Sequence, residues 1–176
     1  MSKLNNNSNE VSSETPDWSR EYKRMFEWSP SRSLLATIRD YQRLSQSSNI
    51  FSKVILKKWA IFRHRLWSAI TGADIPINCQ IEGGLLIPHP NGIVIHPGVK
   101  IGPNCLIFQQ VTVGTLIGPN IPEIGGHVDI GAGAKLLGNI KIGNNVCIGA
   151  NAVVMQDIPD GKTAVGIPAR ILESGN

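Results

Sequence analysis

A chain of 176 residues that is 41% apolar, with a mean hydropathy near zero, has the composition of one soluble compact domain with room for an appendage. Its 18 glycines and 11 prolines suit a turn-rich β architecture and exclude a purely helical one. The formal charge of +4 is divided unevenly: residues 1–71 carry 12 basic and 6 acidic side chains, the remainder 5 and 7, and no DNA- or RNA-binding motif accompanies the basic half.

Residues 1–16 are polar and aperiodic, which predicts a disordered N-terminus, and the stretch lacks the basic-then-apolar pattern of a secretion signal. Residues 17–71 read as a helical segment. Trp18, Tyr22, Met25 and Phe26 approximate helical spacing until Ser29-Pro30 interrupts them; Leu34, Leu35, Ile38, Tyr41 and Leu44 then share one face of a second helix. The strongest helical pattern covers 49–71, with Ile50, Val54, Ile55, Trp59, Phe62, Leu66, Trp67 and Ile70 on one broad face and Gly72 as its stop. Lys53, Lys57, Lys58, Arg63 and Arg65 exclude a transmembrane span. Peripheral membrane contact through 49–71 suits the composition, but packing of this face on the following domain or a neighbouring subunit is the favoured expectation.

Residues 72–176 read as a second domain, whose chain from about 73 to 171 is punctuated in hexads. Ile75, Ile81, Ile87 and Ile93 form one six-spaced register; Ile95, Ile101, Ile107 and Val113 form a second, and Ile124, Ile130, Leu136, Ile142, Ile148 and Val154 a third. Small or β-branched residues lie four positions after many of these, among them Cys79, Val99, Cys105, Val111, Ala134, Val146 and Ala152. One short strand and one turn per hexad, three hexads to a coil, predict a parallel β-helix of about five coils. Two features depart from the repeat. The registers slip by two residues in GGLLIPHPNGIVIHPG, displacing His89 from the column, and residues 115–123 (TLIGPNIPE) must loop out. IPDGKTAVGIPARIL then breaks the hexads and caps the last coil. Cys79, Cys105 and Cys147 have no metal-type spacing and read as small apolar fillers in a reducing, cytoplasmic setting.

The hexads, the segment around His89, AGAKLLGNIKIG and VGIPARI resemble the left-handed β-helix (hexapeptide-repeat) acyltransferases, and among them the bacterial serine acetyltransferases. The resemblance implies an acetyl-CoA-dependent O-acetyltransferase assembled as a homotrimer, with His89 as general base and Asp74, fifteen residues earlier, as its partner. It further implies that Gly114 and Thr115 lie near the thioester and Ala132 and Ala150 along the pantetheine arm, with Lys162 and Arg170 as the local cations for phosphate. The acceptor is L-serine or a sugar hydroxyl. Pro88 stands where the family has an acidic residue, and Asn120 and Ile121 stand where it has an Arg-His pair that holds the amino acid; these departures point towards a sugar or exopolysaccharide hydroxyl, while the overall resemblance implies L-serine, which is the first expectation. His127 is a candidate replacement for the missing histidine, while His96, in an HPG turn, is expected to face solvent. No metal is expected. The ending LESGN lacks the terminal isoleucine through which the family binds a cysteine-synthesis partner, so that complex is not expected either. The competing reading, from another class, is a non-catalytic trimeric β-helix that binds a partner through its basic helix.

Overall fold

The computed structural model describes residues 11–24, 27–46, 50–116, 118 and 120–172, without the side chains of 50–53. A 3-10 turn (Trp18–Glu21) leads to two helices, α1 (Pro30–Gln46) and α2 (Ile50–Thr71). Pro30 opens α1, where a missing N–H costs nothing, and Gly72 at φ +66° ends α2 by donating its N–H to Ser68 O at 2.9 Å. The helical run expected from Trp18 to Phe26 shortens to the 3-10 turn, because Asp17 caps it and Tyr22 is already extended; Met25 and Phe26 lie outside the described residues. Of the N-terminal stretch read as disordered, residues 11–16 lie along the solenoid. There the buried Asn104 donates to Ser12 O at 2.7 Å and Thr15 O at 2.8 Å, and accepts from Asp17 N at 2.7 Å.

The rest is a left-handed β-helix of five coils. Sheet one contains β1 (Gln80–Ile81), β3 (Lys100–Ile101), β6 (Glu123–Ile124) and β9 (Lys141–Ile142). Sheet two contains β4 (Leu106–Ile107), β7 (Asp129–Ile130), β10 (Cys147–Ile148), β12 (Thr163–Val165) and β13 (Arg170–Leu172). Sheet three contains β2 (Val94–Ile95), β5 (Thr112–Gly114), β8 (Lys135–Leu137) and β11 (Val153–Val154). Bridges at Asp74, Leu86 and Ile158 supply the end layers. Every pairing is parallel except β12–β13, where Val165 faces Arg170 and Thr163 faces Leu172. Each two-residue strand points its second residue inward, so all fourteen apolar residues of the three registers are buried and stack layer on layer.

Register turns the sequence irregularities into lengths. Ile95 pairs with Val113 and Ile124 with Ile142, eighteen residues apart in each case. Ile81 pairs with Ile101 at twenty, and Val113 with Leu136 at twenty-three. The slip therefore puts two additional residues into the turn after Ile87, and the 115–122 loop adds five. Because parallel strands fix the columns, these additions can only project sideways.

Helix α1 covers the first coil with Leu34, Leu35 and Ile38, which join the solenoid core. Beside them Arg39 and Glu21 form a buried ion pair, 7% and 9% exposed. Arg39 reaches Glu21 with Nε at 2.9 Å and Nη2 at 2.8 Å, and its remaining N–H groups donate to the carbonyls of Ile81 and Glu82 and to Gln42. Glu21 Oε1 also accepts from Leu85 N at 3.1 Å. Helix α2 packs on α1, with Ala60 buried and with Arg63 paired to Asp40 and Lys57 over the Tyr41 ring. Of the expected face, Trp67 packs against the solenoid core and the Ile50 side chain lies outside the described residues, while Val54, Ile55, Trp59, Phe62, Leu66 and Ile70 are exposed, so within one chain most of this face does not pack on the β-helix.

His64, on the inner side of α2, bonds through Nε2 to Ile75 O at 2.9 Å. Burial lowers its pKa; the Ile75 carbonyl and the Asp74 charge only partly offset this. Below pH about 6.5 the unfolded chain therefore binds more protons at this site than the native one, and stability falls as pH drops from there through the depressed native value. Replacement His64→Gln retains a donor for Ile75 O without a titration. It is expected to flatten that part of a melting-temperature against pH profile.

Candidate functional site

Three columns of turns connect the sheets, and each candidate residue is assigned by the column it occupies. The corner between sheets two and three contains, in successive coils, residues 88–93, 108–111, 131–134 and 149–152. His89 sits in the first of these turns and is exposed. Backbone bonds hold that turn to the layer below: Asp74 N donates to Ile93 O at 2.8 Å, Gly92 N to Gly72 O at 2.9 Å, and Gln110 N to Asn91 O at 3.0 Å. Gly72 is also a close approach, since a Cβ there would lie 2.7 Å from Asn91 Nδ2. Asp74 is thus beside the His89 turn, as a near-coil spacing of fifteen requires. Neither the His89 ring nor the Asp74 carboxylate makes a hydrogen bond within the described residues. Asp74 acts instead on His64 and on Cys79, whose thiol is pushed up to about 12 chiefly by burial. Burial likewise raises the Cys105 thiol to about 11, so both cysteines are packing groups rather than nucleophiles.

Below His89 on the same corner lies a groove of about 360 Å³ lined by Gln109, Gln110, Ala132, Gly133, Lys135, Ala150 and Asn151. Ala132 and Ala150 are legible in the sequence, but the groove's four polar members, Gln109, Gln110, Lys135 and Asn151, are not. Gln109 Oε1 is buried and makes no hydrogen bond within the described residues. Lys135 Nζ donates to Gln110 O at 2.6 Å, leaving a cation on the groove wall. Gln110, at φ +62°, bends the backbone outward. The usable signal was that these residues occupy the same hexad turn as Ala132, one coil away or alongside it.

A second cavity, about 240 Å³, adjoins the His89 turn through Pro88 and is lined by Ser29, Ser31, Arg32, Leu35, Leu85, Leu86 and Ile87. It lies at the N-terminus of α1, where free N–H groups favour negative charge. Arg32 bonds Glu27 at 3.3 Å with both side chains more than a third exposed. No hexad rule could place this wall, because it comes from a helix sixty residues upstream.

The remaining candidates lie elsewhere. Gly114 and Thr115 end β5 and face the corner between sheets three and one, where a Cβ on Gly114 would lie 3.8 Å from His96 Cβ. Lys162 belongs to the corner between sheets one and two, and Arg170 to the terminal hairpin beside Met155 and Gln156. One chain therefore does not gather the proposed donor-site residues into one groove. His127 is a left-handed turn residue at φ +53° whose Nδ1 pairs with Asn145 Oδ1 at 2.9 Å, on a different corner from His89. His96 is half-buried rather than fully solvent-facing; its Nδ1 accepts from Gly98 N at 3.2 Å. A larger cavity, about 770 Å³ along the outer face of sheet one, holds none of the candidates.

The solenoid with its displaced corner is a hexapeptide-repeat architecture, and residues 122–156 match the family described as bacterial transferase hexapeptide (six repeats). A Staphylococcus aureus serine acetyltransferase is 40% identical over 162 residues, 87% of this chain and 76% of that protein. A Synechococcus elongatus serine acetyltransferase is 43% identical over 106 residues, 58% of this chain but only 43% of its own length. Among solved structures, soybean serine acetyltransferase complexed with serine superposes with a TM-score of 0.69 at 34% identity, and a serine acetyltransferase in complex with CoA with 0.68 at 32%. Each superposition covers 82% of this chain and 58% of the other. The chain belongs to the serine acetyltransferase family.

Proposed function

We propose that this chain transfers acetyl from acetyl-CoA to the hydroxyl of L-serine, at a site centred on His89. The observation that carries the reading is the column at the corner between sheets two and three: a displaced histidine at its head, a groove floored by Ala132, Gly133 and Ala150 below it, and a cavity edged by Ser29, Ser31 and Arg32 beside it. The pantetheine arm lies along Ala132 and Ala150, where only small side chains leave room, and the orphaned Gln109 Oε1 accepts an amide N–H from it. His89 takes the hydroxyl proton as the oxygen attacks the thioester carbonyl; the C–O bond forms, the C–S bond breaks, and the proton leaves on the CoA thiol. Asp74 orients the imidazole and stabilises its charged form. Among the described residues no nucleophile stands in an arrangement for an acyl-enzyme, which favours direct transfer.

The acceptor carboxylate fits the α1 N-terminus and Arg32. With Arg32→Ala, KM for serine is expected to rise about tenfold or more while KM for acetyl-CoA stays put, read from steady-state kinetics. Because Gly114, Thr115, Lys162 and Arg170 occupy other corners, the donor site is completed between subunits of a homotrimer, and light scattering should give three times the 19.1 kDa protomer mass. The buried free thiols and the acetyl-CoA donor suit the cytoplasm.

The deciding assay is thiol release from acetyl-CoA with L-serine and then with a panel of sugars. Release with serine supports the reading. Release with sugars alone moves the acceptor to a carbohydrate hydroxyl, a reading favoured by Pro88, Asn120 and Ile121. Correct folding without CoA binding overturns both.

A further inference from the structure

Helix α2 presents a second face that the transferase reading leaves unused. Ile55, Trp59, Phe62, Leu66 and Ile70 are 60%, 57%, 58%, 49% and 45% exposed, spaced as one stripe on the side away from α1. Trp59 and Phe62 stack at 5.6 Å, so the stripe carries a flat aromatic centre. Its flanks are basic. Helix α2 contains five cations and no acidic residue. Arg63 is committed to Asp40 at 2.9 Å and Lys57 lies over the Tyr41 ring at 4.8 Å, on the α1 side. Lys58 and Arg65, one helical step to the other side of the stripe, have no charged partner among the described residues.

We infer that this stripe docks on an anionic lipid surface, with Ile55, Trp59, Phe62, Leu66 and Ile70 entering the acyl boundary and Lys58 and Arg65 meeting the headgroups. Charge complementarity selects this occupant. A second copy laid against the same stripe would bring unpaired cations towards one another with no carboxylate on α2 to offset them. A bilayer rich in acidic lipids supplies both the apolar medium and the counter-charge. The helix lies along the surface and does not cross it: no helix among the described residues is long and apolar enough to span a membrane. Docking also positions the catalytic corner. Ile70 is two residues from Gly72, whose carbonyl accepts from Gly92 N at 2.9 Å in the His89 turn, so that turn sits at the edge of the lipid surface.

The test is co-sedimentation of the full chain with vesicles of phosphatidylglycerol and phosphatidylcholine, against phosphatidylcholine alone, at low and high salt. Binding should require the acidic lipid and fall as salt screens it. The double variant Lys58→Gln/Arg65→Gln should weaken it about thirtyfold. Phe62→Ser should weaken it too, while thiol release in vesicle-free buffer is unchanged in both variants. Absence of sedimentation at low salt overturns the inference, as does equal binding to neutral vesicles. A parent that does not sediment, with an oligomeric mass that drops on Phe62→Ser, assigns the stripe to a second copy. The vesicle-free thiol-release readout keeps this result separate from the transferase reading, which does not depend on lipid.

Discussion

Replacing His89 by alanine is expected to lower turnover at least about a hundredfold while leaving CoA binding and the melting temperature unchanged. The magnitude follows from the proton balance: without a positioned base the attacking hydroxyl must lose its proton to water, and such a base contributes about 10²–10⁴-fold. The structural half of the expectation follows from where the residue sits. His89 is exposed, in a turn widened by two residues, with no side-chain hydrogen bond among the described residues to lose and no core volume to leave empty. Thiol release, CoA titration and a thermal melt on the same preparation check all three parts. Near-normal turnover would sink the assignment of the base. Asp74→Asn is the companion: it should lower turnover less, since in the proposed mechanism the carboxylate acts through the imidazole and not on the substrate.

The second large effect concerns stability. Arg39→Ala should cost about 3–5 kcal/mol, read as a lower denaturant midpoint, because it strands the Glu21 carboxylate in a setting 9% exposed to water. It also removes the donors for the carbonyls of Ile81 and Glu82, at the sheet edge that the first coil would otherwise leave open. The double variant Arg39→Met/Glu21→Gln separates pairing from packing. Its neutral, similar-sized side chains leave no charge behind, so it should recover most of the loss. Equal destabilisation by the single and the double variant would show that the loss comes from the missing donors to the Ile81 and Glu82 carbonyls and not from a stranded Glu21 charge.

The contrast between these two sites explains what could be read from the residues alone. The solenoid was legible because its burial is periodic: Ile75 to Val154 are apolar at fixed spacing, and parallel stacking permits only one register. His89 was legible for the converse reason, as a residue that the period cannot accommodate. The Arg39–Glu21 pair was hidden, since it joins a 3-10 turn to a helix eighteen residues later and follows no repeat. The same holds for Asn104, whose hexad position gives no sign that it ties down residues 12–17, some ninety positions earlier. The aromatic face of α2 was legible as a face but not in its direction. Spacing shows which side chains align, while what they align against depends on how α1 packs.

The reversed strand β13 sets the length of the molecule. A stack of identical parallel coils offers at each end an edge on which another coil, its own or a neighbour's, can grow in register without limit. At the C-terminal end Val165 and Thr163 are already paired with Arg170 and Leu172 running the other way, and at the first coil Arg39 occupies the edge carbonyls of Ile81 and Glu82. Polymerisation is thereby refused at both ends by different chemistry, one by chain direction and the other by a guanidinium. Truncation before residue 166 would remove only the former; with the first-coil edge still occupied, the expected product is a pair of chains joined at their C-terminal edges and not a fibre, seen as a doubled mass in light scattering.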